Sequence, residues 1–155
     1  MGKGSKDSTA EPIEGPGFEG RYGETEGYTI GFERYKEHAD MTPLFVGLPD
    51  DKCQSSHWGY VFKGKLVYHT AEGDIEITDG EAYYVGPGHT PEIFPDTEIV
   101  EFSPTAELNE TMEVVTKNDD GGRHEEHGGN GFLAGARHGT ARESQYDLTT
   151  DDPSE

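Results

Sequence analysis

Two stretches constrain this fold more than any others: residues 51–65, DKCQSSHWGYVFKGK, and residues 79–92, DGEAYYVGPGHTPE. Each carries aromatic and β-branched residues in short alternating runs, the pattern of a half-buried strand. Each has an imidazole near one end of its run (His57, His89) and glycines where the chain must turn. Side chains alternate across a strand, so Cys53, His57 and Val61 share a face while the backbone stays extended. Two such strands in one antiparallel barrel bring distant donors into a single interior site.

The rest of the middle follows the same grammar. Residues 28–35 alternate, with Tyr28, Ile30 and Phe32 on one face. Residues 42–47, TPLFVG, read as a short apolar strand whose Pro43 suits a strand beginning. Residues 66–70 and 75–77 form a hairpin around Gly73, and residues 98–102 form the last strand. Ser103 then reads as a helix N-cap and Pro104 as the first helical residue. Residues 105–114 form a short helix, with Leu108, Met112 and the following Val115 spaced to pack on the barrel. His38 reads as a solvated loop residue and His69 as a cross-strand surface residue.

The ends differ in character. Residues 1–26 and 118–155 are acidic, rich in glycine and aperiodic, so disordered tails are expected around a single domain at 27–117. Within the second tail, Phe132, Leu133 and Ala134 form an apolar cluster. The HEEH element at 124–127 has its histidines three apart between glycine pairs, not four apart on a helix, which argues against a peptidase zinc site.

Net charge is −20, and residues 27–117 alone carry 17 acidic against 6 basic side chains. Such a surface repels nucleic-acid phosphates and anionic headgroups, so neither nucleic acid nor membrane is an expected partner. It suits a salt-adapted protein, because salt screens self-repulsion. One cysteine leaves no internal disulfide. No apolar run approaches the ~20 residues of a membrane span, and no apolar leader core is visible. A cytoplasmic location is the expectation.

The two stretches resemble the paired motifs of the cupin superfamily, small antiparallel β-barrels. Counting back from Gly64, the glutamate position of the first motif falls on His57 and its two histidine positions on Asp51 and Cys53. Gly80 and Gly88 match the glycines of the second motif. Its proline position is Gly86, with Pro87 beside it, and its histidine position is Pro91, with His89 two residues earlier. The resemblance, over residues 28–104, implies an all-β fold: one cupin-type antiparallel β-barrel (a jelly roll) with a short C-terminal helix. It also implies a homodimer.

Cys53, His57 and His89 form a three-donor set. Thiolate and imidazole suit a divalent transition metal such as Zn, Fe, Mn, Ni or Cu. Asp51, Gln54 and Glu92 are candidates for a fourth ligand or an outer hydrogen-bond partner, and Trp58, Tyr60 and Tyr83 for the pocket wall. Three functions stay open: a metal-dependent enzyme on a small organic molecule, a non-catalytic small-molecule-binding or sensor module, and a metal-free scaffold with packed core histidines.

Overall fold

The computed structural model describes residues 2–7 and 12–121. In chain order it comprises β1 (Ile13–Gly15), β2 (Phe18–Thr25), β3 (Tyr28–Tyr35), β4 (Ala39–Asp40), two 3₁₀ turns (Thr42–Phe45 and Pro49–Asp51), and β5 (His57–Lys63). There follow β6 (Lys65–Thr70), β7 (Gly73–Thr78), β8 (Ala82–Val85), β9 (His89–Ile93), β10 (Thr97–Pro104) and α1 (Thr105–Gly121). No helix among the described residues is long and apolar enough to cross a membrane.

Among the described residues, ten strands form two antiparallel sheets, in the orders β1-β2-β3-β10-β5-β8 and β4-β9-β6-β7. Inward-facing residues of both sheets, among them Val61, Leu66, Tyr68, Val85, Ile93 and Ile99, build the main core. A smaller cluster of Phe45, Cys53 and Val115 lies where the first 3₁₀ turn meets α1. The architecture is all-β, two antiparallel sheets closed around a core with one C-terminal helix, as the strand pattern of the sequence leads one to expect.

Several segments differ from expectation. The N-terminal tail holds two strands: β2 pairs with β3 along its whole length, from Phe18↔Tyr35 to Thr25↔Tyr28. The strand is hard to read because two of its positions, Gly20 and Gly23, are glycines, and Gly20 yields its space to rings. A Cβ on Gly20 would meet Phe18 Cζ at 2.6 Å and the Tyr22 ring at 2.7 Å. Phe18 nevertheless is a buried core residue.

Residues 42–45 form a 3₁₀ turn instead of a strand. Pro43 has no N–H for a ladder and its fixed φ suits a helical first turn, and the turn delivers Phe45 into the cluster beside α1. The helix runs seven residues beyond 114, to Gly121, and Asn118 Nδ2 donates to the carbonyls of Leu44 and Val46 at 2.8 Å each. Ser103 belongs to β10 and does not cap the helix, since its hydroxyl serves His57. The tail elements at 124–127 and 132–134 lie outside the described residues.

Candidate metal centre

Each donor is placed by backbone pairing. β5 begins at His57, and the alternation that exposes Trp58, Tyr60 and Phe62 turns His57 and Val61 inward. β9 begins at His89. An isolated bridge ties Cys53 to His89: the Cys53 N–H donates to the His89 carbonyl at 2.8 Å, and the Gly88 N–H to the Cys53 carbonyl at 2.7 Å. Gly88 has φ +93°, a region where glycine is unstrained, and it lets the chain reverse immediately before His89.

The donor atoms of Cys53, His57 and His89 lie within 4.8 Å of one another, and all three residues are buried. His57 Nε2 is 3.4 Å from Cys53 Sγ. Its Nδ1 lies 2.6 Å from Ser103 Oγ and 3.1 Å from Glu101 Oε1. Those acceptors hold the proton on Nδ1 and leave the Nε2 lone pair facing the thiol. His89 has the same arrangement: Nδ1–H donates to the Gly86 carbonyl at 2.6 Å. Its Nε2, in a residue only 1 % exposed, has no hydrogen-bond partner among the described residues. An unpaired buried acceptor costs about 1–3 kcal/mol, and a metal ion is a partner that would remove that cost.

The electrostatics match this geometry. Burial pulls the His57 imidazole down to about 4, and burial, with the neighbouring His57, pulls His89 to about 4. Both rings are therefore neutral, the ligand form, at pH 7. Burial pushes the Cys53 thiol up to about 11, so binding a cation there would expel a proton from sulfur. The residues present fit a divalent transition metal: two neutral imidazoles with free Nε2 atoms, one thiol, and a carboxylate behind one imidazole.

The other expected participants are placed elsewhere. Asp51 Oδ1 accepts from the Gly47 N–H at 2.8 Å, and Gln54 Nε2 donates to the carbonyls of Pro49 and Lys52, so both brace the loop before Cys53. Glu92 bridges His38 Nε2 at 2.7 Å and His69 Nε2 at 2.9 Å on the outside of β9. Trp58 and Tyr60 stand on the outer face, 42 % and 38 % exposed, away from the cavity lining. Tyr83 turns inward without lining the cavity. It crosses Gly59, where a Cβ would collide with its ring, and its hydroxyl donates to Glu101 Oε2 at 2.7 Å.

The alternation of β10 turns Ile99, Glu101 and Ser103 inward, yet a glutamate between apolar residues reads equally as a solvent-facing position. Glu101 and Glu33 thus escaped sequence reasoning. Both line a cavity of about 280 Å³ together with Cys53, His57 and His89 and with Leu108, Met112 and Val115 of α1. Tyr22 and Tyr35 donate to the two oxygens of Glu33 at 2.7 and 2.6 Å, and Tyr68 joins Tyr83 on Glu101 Oε2 at 2.7 Å.

No protein-family model matches the chain, and no curated protein matches it. Solved structures align with part of the chain, each at a TM-score below 0.5. They include the Clostridium difficile EutQ protein, at 16 % identity over 57 % of this chain and 62 % of that one, TM-score 0.42. An RmlC-like cupin from Shewanella frigidimarina aligns at 17 % identity over 65 % and 88 %, TM-score 0.47. The polyketide cyclase RemF from Streptomyces resistomycificus aligns at 11 % identity over 68 % and 80 %, TM-score 0.46. The chain spans less than two thirds of the EutQ protein's length.

Proposed function

We propose that this cupin-type barrel holds one divalent transition-metal ion at Cys53 Sγ, His57 Nε2 and His89 Nε2, and binds a small organic molecule in the adjoining cavity. The observation that carries the reading is His89 Nε2: a buried lone pair, without a partner, beside a thiol and a second imidazole lone pair. Three protein ligands leave a coordination position open, as catalytic and ligand-binding metal sites do. A bound ion there would act as a Lewis acid toward an oxygen of the guest. Glu101 and Ser103 hold the His57 ring in its ligating tautomer. The largely apolar wall contributed by α1 and the sheets excludes water from the guest.

Elemental mass spectrometry of the untagged protein, beside a His57→Ala/His89→Ala variant, tests the site. Near-stoichiometric metal in the protein and none in the variant is the expected result. A protein that takes up no Zn, Fe, Mn, Ni or Cu even after reloading refutes the reading.

A further inference from the structure

The cavity has a second polar region besides the Cys–His–His cluster. Glu33 on β3 pairs in register with Ile99, and Gly31 with Glu101 on neighbouring β10. The two glutamates are therefore diagonal neighbours on one inward face, close enough for their side chains to interact. Gly31 makes the arrangement possible, because a Cβ there would meet the Tyr22 ring at 2.8 Å. Tyr22 comes from β2, Tyr35 from β3, Tyr68 from β6 and Tyr83 from β8, and their hydroxyls converge on the two carboxyl groups. Among the described residues, no lysine or arginine lines the cavity.

Two acidic groups in an apolar enclosure whose described basic side chains, His57 and His89, are held neutral reject an anionic guest, because like charges brought together away from water cost several kcal/mol. They accept a neutral one that has an oxygen to share. We propose that the cavity selects uncharged organic molecules bearing a hydroxyl or carbonyl oxygen over carboxylated or phosphorylated ones, and that Glu33 is the residue that sets this selection. The inference rests on the reading that the cavity binds a small molecule, but its charge argument needs no metal. Burial and the neighbouring Glu101 push the Glu33 carboxyl up to about 7. Near neutrality it is thus able to accept from a hydroxyl or, protonated, to donate to a carbonyl. Tyrosine hydroxyls alone would not discriminate against an anion, since they donate to one readily.

The test uses a near-isosteric pair of probes, benzamide and benzoate, titrated into the full-length protein at pH 7 by calorimetry. Benzamide is expected to bind roughly tenfold or more tightly than benzoate. Glu33→Gln and Glu33→Met are both made, so that one folded variant suffices, and either is expected to narrow the gap at least roughly threefold by admitting benzoate. A residue that merely supports the fold would weaken both probes alike. Equal affinity of the unsubstituted protein for the two probes overturns the proposal. So does an unchanged gap in a folded Glu33 variant, and so does a failure of benzamide to bind. Repeating the titrations on the His57→Ala/His89→Ala variant separates the two readings. The gap is expected to persist there, so absence of metal leaves this inference standing, whereas a metal-loaded protein without selectivity sinks this inference alone.

Discussion

Replacing Glu33 by glutamine should change the sign of its effect on stability between acid and mildly alkaline pH. The carboxyl titrates near 4.5 in an unfolded chain and near 7 in the fold, raised by burial and then by Glu101. A folded-state value above the unfolded one means that the fold binds the extra proton between those limits. The contribution is fully present below pH 4.5 and is lost as pH rises through 7. At about 1.4 kcal/mol per pH unit, the loss is about 3 kcal/mol. Glutamine does not titrate and escapes it. Its amide, however, offers one acceptor oxygen where Tyr22 and Tyr35 each donate to a separate carboxyl oxygen, a deficit of about 1 kcal/mol. The variant should therefore be about 1 kcal/mol less stable than the unsubstituted protein at pH 4.5, and about 2 kcal/mol more stable at pH 8.

Urea unfolding of the two proteins from pH 4.5 to 8.5, at fixed ionic strength, measures the difference directly. Comparing the pair matters, because His57 and His89 act in the opposite sense. Their folded values near 4 are depressed, so their neutral burial adds stability as pH rises from about 4 to 6.5. That contribution is common to both proteins and cancels. A stability difference that stays flat across the range would refute the claim that Glu33 is held in a raised, charge-averse position.

Deleting residues 2–25 removes β1 and β2 and with them Phe18, whose loss alone should cost about 3–5 kcal/mol. A large drop in melting temperature is expected, and a truncated chain that melts like the full one would show that β2 contributes nothing to the core. Raising salt from low to molar concentration should stabilise a chain of net charge −20 by screening its self-repulsion, as read by urea midpoints, and a midpoint that falls with added salt would contradict this.

Strand rhythm, the glycine turns and the placing of Cys53, His57 and His89 in two facing stretches were legible because they are local. Alternation reports which face a residue takes, and His57, Val61 and the outward Trp58 and Tyr60 follow it. The outward position of those two aromatics shows the limit of that signal: hydrophobicity alone suggested a pocket wall, but the face they share is the outer one. β2 was hidden because its packing surface is partly glycine, and a missing side chain has no hydropathy to read. The turn at 42–45 went to a 3₁₀ form because Pro43 lacks a ladder donor and α1 offers Phe45 a partner distant in sequence.

By itself, the sequence determined the class of fold and the acidic character and put forward Cys53, His57 and His89 as neighbours, since each depends on residue type and near-neighbour spacing. Only the tertiary structure decided that Ser103 and Glu101 orient His57 and that Glu92 belongs to an outer histidine cluster. It alone also decided that Glu33 and Glu101 share an enclosure and that the hydroxyls of four tyrosines converge on them. Those outcomes depend on which strands lie side by side and in what register. Register is set by the closure of the whole barrel, and no segment encodes it alone.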